Sequence, residues 1–210
     1  MISSSIRTLI ASSIFAMAVS MPAQSALILQ EGVGGTIPQP GSSVVNDVIG
    51  VSTGDAPAGY GGKLYSSGKT TIEFSFVGSE AANTNEFYVG SNLVFSNKNS
   101  TLPGVFTFTF DEGFLDFAFK TTAHGGSTQM VNNADNVSDE STVNFFVATF
   151  SEKKGSGLFL AFDDQVDSSD DDNHDDLVVK VREVSVPEPG TLALMGLGLV
   201  GLVLSRRKSD

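Results

Sequence analysis

Alternating apolar and polar residues predict short β-strands through the middle of the chain. Ile72, Phe74 and Phe76 alternate with polar residues, which is the two-residue period of a strand that buries one face. The same period recurs in Phe106–Phe110 and in Leu115–Phe119. Shorter apolar stretches predict further strands at Phe87–Phe95, Val143–Phe150, Leu158–Phe162 and Leu177–Val184.

Clusters of glycine, asparagine, serine and aspartate separate these runs and predict turns. Asp111–Gly113, between two alternating runs, predicts a β-hairpin. An edge strand is expected at Ala26–Leu29 and another strand at Val44–Val51, with the rest of residues 27–60 as loop. Seven or eight short strands at this spacing predict an all-β protein, an antiparallel β-sandwich or jelly-roll-like domain.

Two longer apolar runs near the ends of the chain predict helices outside this domain. Residues 1–25 combine an early charge at Arg7, an apolar core at Leu9–Val19 and small residues before Ala26, the pattern of a secretory signal peptide. Thr191–Leu204 contains no charge and predicts a transmembrane helix about 21 Å long. Since the hydrocarbon core of a bilayer is roughly 30 Å thick, flanking residues must snorkel or the bilayer must thin.

The residues that flank Thr191–Leu204 support a membrane position. Pro187-Glu188-Pro189 precedes it and cannot continue a helix, which predicts an extended spacer. Arg206-Arg207-Lys208 follows it, and the positive-inside rule places this basic cluster in the cytoplasm and the preceding domain outside. The alternative is a buried core helix that ends in a solvated basic cap.

The composition limits which partners the domain can have. The chain has no cysteine, so its apolar core must hold it together without disulfides in an oxidising compartment. Residues 26–189 contain 8 Lys and Arg against 23 Asp and Glu, a net charge of −15. This charge excludes nucleic acid and favours cations or a neutral surface such as polysaccharide. The phenylalanines are expected in the core, and the best candidates to stack on sugars are Tyr60, Tyr65 and Tyr88.

One stretch concentrates groups with ligand chemistry. Eight aspartates lie within the 14 residues Asp163–Asp176, between two predicted strands. Neighbouring carboxylates about 6 Å apart repel by roughly 0.7 kcal/mol per pair in water, and a divalent cation relieves this repulsion. Oxygen ligands without cysteine point to Ca²⁺ rather than zinc or copper. The expected ligands are Asp163, Asp164, Asp170, Asp172, Asn173 and Asp176.

The acidic stretch is not an EF-hand, and no motif in the sequence has the surroundings that catalysis requires. A loop starting at Asp171 places Asp176 where the EF-hand requires glycine and Arg182 where it requires glutamate. The alternative to a calcium site is a solvated, mobile loop that keeps the protein soluble. The Gly-x-Ser-x-Gly pattern occurs once, at Gly50–Gly54, but no helix is predicted after it, as a nucleophile elbow requires. His124 is expected in a surface loop, so we do not expect an enzyme.

The order of Pro187-Glu188-Pro189, an apolar helix and Arg206-Arg207-Lys208 resembles the PEP-CTERM sorting signal of Gram-negative bacteria. An exosortase in the inner membrane recognises and processes such signals. Ala161–Val179 looks like the acidic strand–loop–strand element that precedes the tail in many PEP-CTERM exoproteins, and Gly61–Tyr65 and Thr70–Ala81 are also similar to that group. The resemblance implies a delivery route and calcium as the ion, but no activity.

These observations predict three segments: a signal peptide at 1–25, an extracytoplasmic β-sandwich domain at 26–185 and a sorting tail at 186–210. We expect a non-catalytic protein that passes through the inner membrane by its C-terminal helix, is processed by an exosortase-type enzyme, and reaches the cell surface or extracellular matrix. Exopolysaccharide is the expected partner there. The alternatives are a calcium-dependent carbohydrate-binding module and a secreted polysaccharide hydrolase.

Overall fold

A computed structural model describes residues 27–30, 45–46, 48–49, 51–52, 59–98, 104–137, 141–150, 157–164, 174–184 and 196–198. Within these ranges the chain forms antiparallel strands, a single-turn 3₁₀ helix at Asn133–Asp135 and a helical segment at 196–198. The predicted all-β class is confirmed. In chain order the strands are β1 (Leu27–Gln30), β2 (Val45–Asn46), β3 (Val51–Ser52), β4 (Gly59–Tyr60), β5 (Lys63–Ser66), β6 (Thr70–Gly78), β7 (Thr84–Val89), β8 (Asn92–Ser96), β9 (Val105–Phe110), β10 (Gly113–Phe114), β11 (Phe117–Thr122), β12 (Thr128–Asn132), β13 (Asn144–Phe150), β14 (Gly157–Asp163) and β15 (Leu177–Val184).

The strands form sheets that face one another. A six-stranded sheet has the order β4-β13-β14-β15-β6-β9, and a four-stranded sheet has the order β12-β11-β7-β8. A three-stranded sheet, β1-β5-β10, adjoins the second sheet, and β2 and β3 form a small hairpin. Because consecutive side chains of a strand point to opposite faces, the alternation in the sequence places one row of each strand inside.

Phenylalanine rings from the two larger sheets fill the space between them. Phe119 of β11 stacks on Phe162 of β14, with ring centroids 4.9 Å apart and an interplanar angle of 7°. Phe74 of β6 lies 5.2 Å from Phe87 of β7. Each buried aromatic side chain contributes roughly 1.5–3 kcal/mol by leaving water, and a well-placed ring pair adds about 0.5–1.5 kcal/mol. The predicted phenylalanine core is therefore the main contact between the sheets.

Two predicted connections are wrong. Asp111–Gly113 does not join a hairpin, because β9 pairs with β6 in one sheet whereas β10 and β11 pair with β5 and β7 in the other. The chain crosses between layers here, and the crossing lets Leu115 be buried on the inner side. Phe87–Phe95 is not one strand but the hairpin β7–β8, which turns at Gly90 with φ +56°. That backbone conformation favours glycine, which has no Cβ.

Other predictions agree in part with the structure. β1 is an edge strand as expected. Val44–Val51 is not one strand: it contains β2 and the first residue of β3, which pair as a hairpin. β12 lies in a segment predicted as loop, because only Val131 of its residues is buried and the strand has no apolar alternation. The signal peptide lies outside the described residues. Of Thr191–Leu204 only 196–198 are described, and they are helical; no helix among the described residues is long and apolar enough to cross a membrane.

A second, smaller apolar cluster lies on the other face of the six-stranded sheet. The β2–β3 hairpin contributes Val48 and Ile49, which pack on Phe146, Phe159 and Val178. The Ile49 backbone N–H donates to Asn46 Oδ1, so the buried asparagine holds this turn closed. The hairpin therefore covers the sheet next to the point where β14 ends and β15 begins.

Candidate functional site

The acidic stretch begins at the end of β14 and returns at the start of β15, and both ends are buried. Asp163 and Asp164 at one end and His174, Asp175 and Asp176 at the other are each at most 9 % exposed. We call these five residues the acidic clasp. Charged side chains are rarely this buried unless polar groups compensate for the loss of water. The predicted ligands between the two ends lie outside the described residues: Asp170, Asp172 and Asn173.

Asparagine amides solvate the Asp164 carboxylate. Its Oδ1 accepts a 2.7 Å hydrogen bond from Asn83 Nδ2, and its Oδ2 accepts a 2.5 Å hydrogen bond from Asn85 Nδ2. Hydrogen bonds to an ionised acceptor are about twice as strong as neutral ones. They therefore offset part of the cost of placing this carboxylate at the end of the main core.

The returning chain is fixed to the same place. The Asp164 backbone N–H donates to Asp176 Oδ2 at 2.8 Å, which joins the two ends of the acidic stretch directly. The Asp176 carbonyl accepts from Ser79 Oγ and from Asn85 Nδ2, and the Asp175 carbonyl accepts from the Glu80 N–H at 2.9 Å. The connection between β6 and β7 thus holds the start of β15.

His174 and Asp163 belong to the opposite face of the sheet. His174 has φ +54°, which is uncommon for a non-glycine residue, and its carbonyl accepts from Asn46 Nδ2 at 2.8 Å. Its Nε2 lies 2.9 Å from Asn144 Oδ1. Because Asn144 Nδ2 donates to the Thr142 carbonyl, Oδ1 is the atom that faces the ring, and Nε2 is the donor. His174 Nδ1 faces Asp163 Oδ2 at 3.7 Å.

The described carboxylates do not converge on one point. Asp163 and Asp164 are consecutive in an extended segment and point to opposite faces, towards His174 and towards the asparagines. Within the described ranges, no three histidine or acidic residues are grouped so that they could hold a metal ion. The structure brings Asp164 and Asp176 together and separates Asp163 from them. Calcium coordination by the full set of six residues stays a prediction.

Asparagines are the site residues that the sequence analysis missed. Asn83 and Asn85 precede the core strand residues of β7, in a stretch predicted as a turn. Asn97 supports them: its Oδ1 accepts from the Asn85 N–H, and its Nδ2 donates to the Asn83 carbonyl. A signal was present, because Asn85 continues the buried row of Phe87 and Val89 at two-residue spacing. A polar residue in phase with a core row indicates a buried polar contact.

Of the three tyrosines predicted to stack on sugars, Tyr60 has a side chain outside the described part of the structure, and Tyr88 and Tyr65 differ in their surroundings. Tyr88 donates to Glu86 Oε2 at 2.9 Å, while Lys120 Nζ lies 2.8 Å from the same oxygen and 5.7 Å from the Tyr88 ring centroid. Burial, and then Glu86, raises the pKa of Tyr88, and the hydrogen bond to Glu86 raises the pKa of Lys120. Lys120 therefore lies against the Tyr88 ring, whereas the half-buried Tyr65 contacts the exposed Phe114.

The structure defines the body of the chain as an acidic, all-β protein whose acidic stretch is held at both ends by buried polar contacts. In the sequence, this body is followed by a proline spacer, an apolar segment and a basic cluster. Residues 185–208 match the PEP-CTERM protein-sorting motif, so the resemblance of this segment is confirmed and the chain is consistent with a PEP-CTERM domain-containing protein. The motif implies processing by an exosortase and export through a membrane-associated sorting step. No curated protein and no solved structure matches the chain.

Proposed function

We propose that the chain is a non-catalytic protein of the cell surface or the exopolysaccharide matrix, delivered by its exosortase-processed tail. The observation that carries the proposal is the sorting motif at residues 185–208, downstream of an acidic all-β body. The strongly negative charge of the domain repels anionic lipid surfaces and leaves cations or a neutral polysaccharide as suitable partners.

The role of the buried polar groups supports a structural body rather than a hydrolase. His174 is 1 % exposed, and its carbonyl and its Nε2 both hold neighbouring segments. Asp164 and Asp176 likewise join the end of β14 and the start of β15 to each other, and Asp164 joins them to β7 and the residues before it. A general acid or base must reach a substrate proton, and these groups are enclosed by the fold. The two facing layers of strands further support the β-sandwich class.

Sorting is tested with the tail spacer. Pro187→Ala with Pro189→Ala should leave the full-length chain in the inner membrane, because the processing enzyme no longer finds an extended Pro-Glu-Pro segment before the apolar run. The chain offers a matched control in Pro38-Gln39-Pro40, where the same double change lies outside the tail. Immunoblots of inner-membrane, outer-membrane and medium fractions measure the outcome. Fractionation identical to wild type for the tail variant would contradict the proposal.

We also propose that Ca²⁺ stabilises the acidic stretch, with Asp170, Asp172 and Asn173 as ligands from its middle and Asp164 and Asp176 at its ends. Asp163, which faces His174 on the other side of the sheet, is left out of this proposed ligand set. The clasp supports this, since it fixes both ends of a segment that carries eight aspartates. Two buried oxygens at the same end of the core, Asn85 Oδ1 and Thr121 Oγ1, have no hydrogen-bond partner among the described residues, and Asn85 also bonds Asp164. When bound, the ion would offset part of the negative charge of the aspartates.

Calcium binding is tested by titrating the full chain in detergent while recording heat and thermal unfolding. At about 100 times the dissociation constant, Ca²⁺ should stabilise the protein by about 2.7 kcal/mol and raise Tm by roughly 5–10 °C, and Mg²⁺ should do neither. Asp170→Asn with Asp172→Asn should remove the effect. Asp111→Asn with Asp116→Asn, which changes two exposed carboxylates at the other end of β7, should keep it. A Tm that does not respond to Ca²⁺ would refute the proposal.

A further inference from the structure

An open cleft of about 400 Å³ lies between the turn that joins β7 to β8 and the segment that follows β9. Three exposed carboxylates line it, Asp111, Glu112 and Asp116, together with the ring of Phe114, which is 44 % exposed. None of the described lining residues is basic. The cleft is at the opposite end of β7 from the acidic clasp, because Val89 lines the cleft whereas Asn85 bonds Asp164.

A row of apolar side chains continues from the cleft across the three-stranded sheet. Ile28 of β1 and Phe114 of β10 both pair with Tyr65 of β5, so the three side chains lie side by side on one face. Ile28 is 40 % exposed, and the Tyr65 and Phe114 rings meet edge to face at 5.5 Å. Tyr65 Oη donates to Glu112 Oε1 at 3.4 Å, which connects the row with the carboxylates of the cleft. We call Ile28, Tyr65 and Phe114 the apolar row.

The backbone holds the walls of the cleft in place. The Gly90 N–H donates to the Asp116 carbonyl at 2.9 Å, and the Leu115 N–H donates to the Leu64 carbonyl at 3.0 Å. Gly113 has φ +141°, a conformation that is open to glycine and strained for other residues, and the residues on both its sides line the cleft. These backbone hydrogen bonds fix the segments that carry the three carboxylates and the Phe114 ring before any ligand binds, which lowers the entropic cost of binding.

We propose that the cleft and the apolar row bind a polysaccharide of amino sugars that carry free ammonium groups. The proposal rests on the function proposed above, because it names the matrix component that the body would contact. Ammonium groups form charge-assisted hydrogen bonds with carboxylates and are attracted to aromatic faces. The C–H face of a pyranose packs on exposed rings such as Phe114 and Tyr65. Anionic polymers are repelled by three carboxylates without a basic neighbour.

The test is a calorimetric titration of the full chain in detergent with two matched probes, the β-1,4-linked hexamer of glucosamine and the corresponding hexamer of N-acetylglucosamine. They share length and linkage and differ in charge. The glucosamine hexamer should bind at least tenfold more tightly, and its affinity should fall as salt rises, because exposed charge pairs are screened. Asp111→Asn with Asp116→Asn should weaken its binding at least tenfold, and Phe114→Ala should weaken it at least threefold.

The control variants change the same side-chain types on other exposed positions. Glu80→Gln with Asp135→Asn should leave the affinity for the glucosamine hexamer unchanged, as should Met130→Ala, an exposed apolar side chain on β12. The proposal is overturned if the glucosamine hexamer does not bind, if the acetylated hexamer binds equally well, or if a hexalysine peptide binds as tightly with the same loss in Phe114→Ala. Binding of the hexamers does not depend on the sorting motif, so a failure to bind would leave the proposed sorting route intact. Likewise, a failure of the Pro187→Ala with Pro189→Ala test would leave the proposed binding of amino sugars intact.

Discussion

Replacing Phe119 with alanine is expected to lower the free energy of unfolding by about 3–5 kcal/mol, the range for large-to-small changes in a packed core. Phe119 is fully buried and stacks on Phe162 at 4.9 Å. Its ring also lies 5.0 Å from Phe87 and 5.3 Å from Phe145, so it bridges the two sheets. Alanine removes these contacts and leaves a cavity that strands on both sides, held by their hydrogen bonds, cannot close.

Urea unfolding of the full chain in detergent measures this loss, and Met130→Ala is the control. Met130 lies on β12, paired through its backbone with Lys120 of the Phe119 strand, and its side chain is 51 % exposed. Its removal should cost less than about 1 kcal/mol, because little apolar surface leaves the core. Similar midpoints for Phe119→Ala and Met130→Ala would show that the ring is not packed between the sheets.

Asn136→Asp is the second change with a large expected effect, a loss of about 3–5 kcal/mol in the free energy of unfolding, the range for an uncompensated buried charge. The buried Asn136 Nδ2 donates to the carbonyls of Gly62 and Phe145, at 2.9 and 2.7 Å, and its Oδ1 accepts from the Phe145 N–H. The amide therefore acts as a strand partner for β13 and ties it to the residue before β5. Aspartate has the same shape but cannot donate when ionised, so two buried carbonyls would face a buried charge.

Asn132→Asp is the matched control for this change, since it alters the same functional group four residues earlier. Asn132 is exposed, and its one described side-chain contact is a 2.8 Å hydrogen bond to Asp135 Oδ2. We expect a loss below about 1 kcal/mol from the new repulsion with Asp135. Chemical unfolding monitored by near-UV circular dichroism compares the two variants. Equal losses would mean that the buried hydrogen bonds of Asn136 contribute nothing beyond a surface polar contact.

The sequence predicts a strand wherever apolar and polar residues alternate regularly along the chain. Ile72, Phe74 and Phe76 alternate cleanly, and β6 is where they predict a strand. Alternation specifies which face is buried but not which sheet a strand joins. The rows before and after Asp111–Gly113 look the same in the sequence, although one faces the core from the six-stranded sheet and the other from the layer opposite.

The polar contacts of the site were harder to predict, for a physical reason. Asparagine is common in solvated turns and also replaces backbone partners inside a fold, and composition does not separate the two uses. Asn133 illustrates this: it is fully enclosed and exchanges hydrogen bonds with both the N–H and the carbonyl of Leu64, although it lies in a segment rich in turn residues. The sequence also does not show that the two ends of the acidic stretch are buried, because runs of aspartate are usually solvated.

The tail was the most predictable part of the chain, because its signal is linear. Pro187-Glu188-Pro189, the apolar run and Arg206-Arg207-Lys208 act through their order along the chain and need no tertiary contact to be recognised. The clasp and the cleft, in contrast, exist only where the sheets bring distant residues together, such as Asn85 with Asp164 and Tyr65 with Phe114. The two-residue spacing marks Asn85 as buried, but no local pattern identifies its partner Asp164.

The intact mass of the protein recovered from the surface and medium of wild-type cells tests the central claim most directly. Exosortase processing predicts a mature form that has lost the basic cluster Arg206-Arg207-Lys208 and the apolar run before it, while cells without the processing enzyme keep the tail. A surface form whose mass includes all of residues 185–208 would contradict processing at this motif and, with it, the proposed route of the protein to the matrix.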